Sequence, residues 1–268
     1  MTREIKTFLV KVLPPSLVHY IKKVRYTRAI RKASEDTEID MKMLRHLIRR
    51  GDAVIDIGAS IGYYSKIMGE LVGPEGSVYS IEPIPYTFGI LSYMVRKLHL
   101  ENTTTINCAI SDHNEMVSMA VPVNKSGEPN LYESRVVTGE LNLQSDILRV
   151  EARTVDSLFA SNERAFSFIK CDAEGHELKC LIGAREMMRK WKPAWMVEIW
   201  DVPGDRTKPG FKTLEFMREE GYQVFWFDGH TLRRLKADSR SVNGNYFFLL
   251  PHHLTRLCEI GLVEKEEV

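Results

Sequence analysis

The spacing of apolar positions changes along the chain, and the changes mark its parts. Leu17, Ile21 and Val24 recur at helical intervals beside Lys22, Lys23, Arg25 and Arg28, after a Pro14-Pro15 break. That pattern predicts a basic amphipathic helix. An acidic patch over 35–40 predicts the start of a second helix running to about residue 49, with Met41, Leu44 and Ile48 as its buried stripe. From Gly51 onward, short apolar runs alternate with helical segments. Strands are expected over 53–57, 77–81, 103–110, 165–171 and 195–200, and helices over 63–71, 87–98, 177–189 and 211–220. A closing strand pair is expected at 224–227 and 246–250. Apolar runs of this kind suit strands covered on both faces, and alternation of strand with helix predicts a doubly wound, mostly parallel sheet. Between Asn114 and Val155 the alternation lapses into a strand pair flanking a loop over 122–139. The expected fold is α/β and Rossmann-like over residues 51–250, with a helical extension over 1–50 and a tail over 251–268.

Composition changes this picture at one point. At 44% hydrophobic and 27% charged, the 268 residues are ordinary for a globular chain. The net charge of +1 hides an asymmetry: residues 1–50 carry 13 Lys and Arg against 5 Asp and Glu, the remainder 24 against 31. A basic leader before an acidic body can meet an anionic membrane surface through residues 1–30, or serve as a solvated helical cap. No stretch reaches the length of a membrane span and no secretory signal pattern is present, so a cytoplasmic protein, peripheral to a membrane at most, is expected. Cys108, Cys171, Cys180 and Cys258 form no CxxC pair, which fits buried free thiols.

The chemistry gathers at the ends of the strands, where open α/β sheets bind ligands. The turn after the first strand reads Asp56-Ile57-Gly58-Ala59-Ser60-Ile61-Gly62. Gly58 lets the backbone turn and a ligand approach closely, and Gly62 permits tight packing where a helix begins. The spacing is GxxxG, whereas a dinucleotide pyrophosphate calls for GxGxxG. A nucleoside without phosphates suits it better. Asp56 offers a carboxylate to an ammonium group, Glu82 at the end of the second strand offers one to ribose hydroxyls, and Ala109, Ser111 and Asp112 after the third strand offer a slot and a polar edge to adenine. S-adenosylmethionine has this inventory. A second cluster, Asp172, Glu174 and His176 after the fourth strand and Glu198 near the end of the fifth, offers a proton acceptor for methyl transfer to a hydroxyl. Alternatively Asp172, Glu174 and Glu198 hold a divalent metal that lowers the hydroxyl pKa. Plainer roles suit the same residues: Asp172 or Glu174 at a helix N-terminus, His176 in solvent, Lys170 snorkelling or paired with a neighbouring acid, Asp156 as N-cap for 157–160, Trp200 in the core.

The run Phe168-Ile169-Lys170-Cys171-Asp172-Ala173-Glu174-Gly175-His176-Glu177-Leu178, followed by Leu181-Ile182-Gly183-Ala184, closely resembles the signature of FkbM-type methyltransferases. So do Arg153-Thr154-Val155-Asp156-Ser157-Leu158 before it and Val197-Glu198-Ile199 after it. The resemblance spans roughly residues 51–250. It implies a class I methyltransferase fold, S-adenosylmethionine as donor, and methylation of a hydroxyl oxygen on a small molecule or carbohydrate. Ser60 departs from the Asn common in the family, and Trp200 from the His that often follows the Glu by two positions.

Three other readings are weighed. A nucleic-acid N-methyltransferase is disfavoured by the acidic body and by Asp172-Ala173-Glu174-Gly175 in the place of an Asn/Asp-Pro-Pro-Tyr motif. A non-catalytic nucleoside-binding protein fits the fold but leaves the second acidic cluster without a use. Nicotinamide oxidoreduction is weakened by the loop spacing. The loop with Asn124, Asn130, Tyr132 and Arg135 and the segment 201–210 are expected to wall the acceptor. The sequence leaves the oligomeric state open.

Overall fold

A computed structural model describes residues 14–122, 134–136, 145–200, 206–235 and 244–263. Helix α1 (Pro15–Arg31) comes first. The second helix foreseen in the leader is instead a 3₁₀ turn (Ile39–Met43) running into a single turn, α2 (Leu44–Leu47). Its expected stripe is nonetheless buried: Met41, Leu44 and Ile48 all lie in the core.

The body follows the foreseen alternation: β1 (Ala53–Ile57), α3 (Tyr63–Val72), β2 (Ser77–Ile81), α4 (Pro85–Lys97) and β3 (Thr103–Ile106). The expected third strand ends early. Asn107 turns the chain by donating to the carbonyls of Glu82 and Pro83, and a separate short strand, β4 (Ala109–Ile110), leaves for another sheet. That sheet also holds β5 (Glu115–Pro122), β6 (Arg135–Val136) and β7 (Ser145–Arg153), with β5 and β7 antiparallel. Next come α5 (Val155–Leu158), β8 (Phe166–Cys171), α6 (Glu177–Ile182), α7 (Arg185–Trp191), β9 (Ala194–Ile199), α8 (Pro209–Glu219), β10 (Gln223–Phe227), β11 (Leu232–Arg234), β12 (Gly244–Leu249) and α9 (Pro251–Glu259). The single helix expected over 177–189 is broken at Gly183, where a side chain would strike the Ser111 carbonyl at 2.0 Å. Residues 251–259, read as tail, form α9 and bury Leu254 and Leu257.

The large sheet has the order β3-β2-β1-β8-β9-β12-β10-β11. Strands β3 through β9 are parallel, and β12 lies antiparallel between β9 and β10. Both faces are covered, as the continuous apolar runs required. One face packs Val54, Phe168 and Met196 against α3 and α9, the other Ile55, Ile169 and Trp195 against α6, α7 and α8. The chain order reverses at β1, so β1, β2 and β8 open a crevice at their carboxyl ends. Helix α1 buries Ile30 against Ile90, Leu91 and Met94 of α4 and leaves Leu17, Tyr20 and Ile21 exposed. No helix among the described residues is long and apolar enough to cross a membrane.

Candidate active site

The crevice is a cavity, partly open to solvent, that runs across the ends of β3, β2, β1, β8 and β9. Of the residues singled out in the sequence, Gly58, Ser60, Glu82, Ala109, Asp172, Glu174, His176 and Glu198 line it.

At the β1 turn, Gly58 has φ +72, and a Cβ there would lie 1.8 Å from the Asp172 carbonyl, so only glycine fits between β1 and β8. Ser60 follows at φ +50, a left-handed conformation that a serine adopts only when its surroundings impose it. The surroundings here are Glu82. One carboxylate oxygen accepts from the Ser60 amide at 3.0 Å, the other from the Ile84 amide at 2.9 Å. Burial raises the Glu82 carboxyl to about 7 against these two bonds. Its oxygens keep lone pairs for a ligand on the cavity side.

Five expected contacts lie off the cavity wall. Asp56 sits behind the turn, fully buried, accepting from Ser65 Oγ at 2.6 Å, and does not line the cavity. Ala59 is spent on its amide bond to the Ile81 carbonyl. Gly62, at φ +98, faces Met94 as α3 begins. Ser111 and Asp112 belong to a different network. Ser111 Oγ donates to Asp112 Oδ1 at 3.0 Å and stands 3.0 Å from His176 Nε2. A carboxylate only accepts, so the one hydroxyl proton goes to Asp112 and Ser111 accepts from His176 Nε2–H. Burial lowers the His176 pKa and keeps the ring neutral at pH 7, with Nδ1 as its basic atom.

At the other end, carboxylate oxygens of Asp172, Glu174 and Glu198 lie within 4.8 Å of one another. Beneath them is Lys170, 3% exposed, its Nζ 2.9 Å from Asp172 Oδ2 and 4.6 Å above the Tyr64 ring. Burial would depress this ammonium, but Asp172 and Asp56 hold it charged and above its usual pKa. Burial would likewise raise Asp172; Lys170 and a hydrogen bond from Glu198 hold it below the usual carboxylate range. Glu198 carries the difference. Burial, then the Asp172 charge, raise it to about 8, so at neutral pH it keeps the proton it shares with Asp172. Glu174 stands at φ +50 beside Gly175 at φ +94. Oxygen ligands so arranged suit a divalent ion in type, but the Lys170 ammonium and the shared proton already supply the compensating positive charge.

Several plain roles expected from the sequence are filled by neighbours. Glu177 accepts from the amides of Ala173 and Gly175, so Asp172 caps no helix. Thr154 caps α5, while Asp156 accepts from Glu186 and Met187 at the start of α7. Trp200, half in solvent at 60% exposure, lines the cavity and is no core residue. Sequence reasoning named none of Met119, Ser134 and Val136, although the last two fall in the loop 122–139 expected to wall the acceptor; all three line the cavity, on or beside the second sheet. Only the strand pairing of β5 and β6 brings them there, and no local pattern signals it. Arg135 is exposed; Asn124, Asn130, Tyr132 and residues 201–205 lie outside the described residues.

Replacing Lys170 with Met strips the buried acids of their cation. Loss of one partner from a buried pair destabilises by about 3–5 kcal/mol, so urea denaturation of Lys170→Met is expected to show a deficit of that order at pH 7. Asp172 has a depressed pKa, so its contribution is present at neutral pH and lost as pH falls through that value; the deficit shrinks in acid. A variant as stable as wild type at pH 7 contradicts the role given to Lys170.

Comparison with known proteins fits this geometry. The family model described as the methyltransferase FkbM domain matches residues 56–224. Among curated proteins, the chain is 37% identical over 78 residues to the protein-L-isoaspartate O-methyltransferase of Ignicoccus hospitalis, covering 29% of this chain and 36% of that protein. It is 50% identical over 38 residues to that of Methanothrix thermoacetophila, covering 14% and 18%. The match thus spans about a third or less of these relatives. Similar solved structures include an FkbM methyltransferase from Methylobacillus flagellatus KT, at 16% identity over 85% of this chain and 59% of that one, TM-score 0.47. Another is the fibrillarin of Aeropyrum pernix with bound S-adenosyl-L-methionine, at 11% identity over 76% and 68%, TM-score 0.46. On the match to more than half of its length, this chain belongs to the family of the methyltransferase FkbM domain.

Proposed function

We propose that this chain is an S-adenosylmethionine-dependent methyltransferase that methylates a hydroxyl oxygen of a small molecule or carbohydrate, with Glu198 as the proton acceptor. The observation that carries the reading is the meeting of Asp172, Glu174 and Glu198 in the cleft, their carboxylate oxygens within 4.8 Å of one another, where burial and the Asp172 charge raise Glu198 to about 8. In this reading the nucleoside lies toward β2 and β3, where Glu82 accepts from the ribose hydroxyls. The sulfonium methyl points toward β8 and β9. The acceptor oxygen attacks that methyl in line, a carbon–oxygen bond forms as the carbon–sulfur bond breaks, and the hydroxyl proton passes to the Glu198 carboxylate. The products are a methyl ether and S-adenosylhomocysteine. Asp172, kept ionised by Lys170, makes Glu198 a stronger base than an ordinary carboxylate. His176, neutral and basic at Nδ1, orients the acceptor from the same wall. The exposed face of Trp200 suits the apolar face of a sugar ring.

The charge of the wall favours a neutral acceptor. Glu82, Asp172, Glu174 and Glu198 face the cavity, and no Lys or Arg lines it among the described residues. The ionised Asp172, joined by Glu82 and Glu198 as they lose their protons, disfavours a carboxylate acceptor, as in the isoaspartate enzymes, and a nucleic-acid backbone.

Two experiments bear on this reading. An ionised Glu82 accepts from the ribose more strongly than a protonated one, so the affinity for S-adenosylhomocysteine is expected to rise as pH passes upward through about 7. In Glu82→Gln that rise disappears and binding at pH 8 falls at least about tenfold, the loss of a charged hydrogen bond; a pH-independent wild-type affinity by calorimetry counts against the assignment. For the reaction, the chain is incubated with methyl-labelled S-adenosylmethionine and separate panels of polyols and glycosides, of carboxylic acids, and of RNA. Label is expected in an alkali-stable methyl ether, with a rate that climbs through pH 8 and loses that climb in Glu198→Gln. Label released by alkali as methanol, or found in RNA, contradicts the proposal.

We also propose a cytoplasmic site of action at an anionic membrane surface. Helix α1 supports it: Leu17, Tyr20 and Ile21 are exposed at its first turns, Arg25, Arg28 and Arg31 at its later ones, and it carries no acidic residue. The full chain is expected to float with vesicles containing anionic lipid and to be released by salt, with Arg25→Glu/Arg28→Glu left at the bottom of the gradient. Equal flotation of wild type and variant removes the surface from the account.

A further inference from the structure

Ser134 is a buried hydroxyl that the chain leaves unused. It is 7% exposed, its Oγ has no hydrogen-bond partner among the described residues, and it lines the cleft. A hydroxyl taken out of water without a partner is destabilising by about 1–3 kcal/mol. A ligand in the cleft would complete it.

The place of Ser134 says which part of the ligand. Ser134 and Val136 are two residues apart beside and on β6, so their side chains share one face. Val136 pairs across the ladder with Met119. Met119 packs in one cluster with Ile84, which follows the Glu82 turn, and Ala109, which follows β3. Ser134 therefore stands at the β2–β3 side of the cavity, with β1 between it and the acids on β8 and β9. On that side Ile84, Cys108 and Ala109 form an apolar slot, and Glu82 already covers the sugar. What remains without a polar partner there is a flat heterocycle.

We propose that the second sheet is the outer wall of the nucleobase slot and that Ser134 hydrogen-bonds the purine of the donor; this rests on the reading that the cleft holds S-adenosylmethionine. A hydroxyl both donates and accepts, so it matches either an exocyclic amine or a ring nitrogen. Met119 and Val136 supply the apolar contact on the face of the ring, and Ser134 the polar contact at its edge.

The test is calorimetric titration of the full chain, wild type and Ser134→Ala, with two probes. S-adenosylhomocysteine carries nucleoside and amino-acid tail; 5′-methylthioadenosine carries the nucleoside alone. The expected result is a loss of affinity of about three- to tenfold in the variant, the same for both probes, from one neutral hydrogen bond. The unliganded melting temperature of the variant is expected to stay level or rise, because its unsatisfied hydroxyl is gone. Unchanged affinity for both probes overturns the proposal. So does a loss confined to S-adenosylhomocysteine, which moves Ser134 to the tail, or a fall in unliganded stability alongside the loss, which makes it a packing residue. A wild-type chain that binds neither probe overturns the donor reading itself, and is told apart from these outcomes by the wild-type titration.

Discussion

A lysine ammonium buried under the cleft is the constraint on which the site depends. Asp56 on β1, Asp172 after β8 and Glu198 on β9 bring carboxyl groups to three neighbouring strand ends, and three such charges in a poorly solvated place repel one another. Lys170, held 2.9 Å from Asp172 and over the face of Tyr64, answers them with one positive charge. One cation does not neutralise three acids, and part of the balance is met by a proton on Glu198. Burial raises the Asp56 carboxyl above its ordinary pKa, and burial with the Asp172 charge raises Glu198 to about 8. The result is a division of labour: Asp172 is ionised at neutral pH, and Glu198 is protonated there and becomes a base as pH rises through about 8.

The topology sets that chemistry apart from ligand recognition. On one side of β1, Glu82 ties the end of β2 to the glycine turn through the amides of Ser60 and Ile84. On the other side stand the acids. Both sides hold a residue in the left-handed region, Ser60 and Glu174, and both line the cavity. Strain at these two points is tolerable because Glu82 fixes the first and Glu177, accepting from Ala173 and Gly175, fixes the turn around the second. The second sheet closes the crevice from outside the Rossmann-like core, burying Met119 against Ile84 and Ala109.

What could be read in advance followed from local periodicity. The apolar runs of β1, β2, β8 and β9 announce doubly covered strands, and their ends name Gly58, Glu82, Asp172 and Glu198 directly. What could not be read depends on which way a side chain turns at a strand end. Asp56 and Ser111 sit in motif positions yet point into the protein, Asp56 toward Ser65 and Ser111 toward His176. The cap of α7 is likewise invisible locally, because Asp156 reaches it across 30 residues of sequence. Ser134 and Met119 join the site only through pairing of β5 with β6, a non-local event for which a single sequence carries no period.

The account turns on where one proton resides. Carbon-detected magnetic resonance of chain labelled at the glutamate and aspartate carboxyls, with Glu198→Gln used to assign the signal, follows each group through pH. Glu198 titrating near 8, with Asp172 already ionised well into acid, is the predicted result. Glu198 titrating in the ordinary range near 4.5 would contradict it, since the cleft would then hold two ionised carboxylates and no raised base.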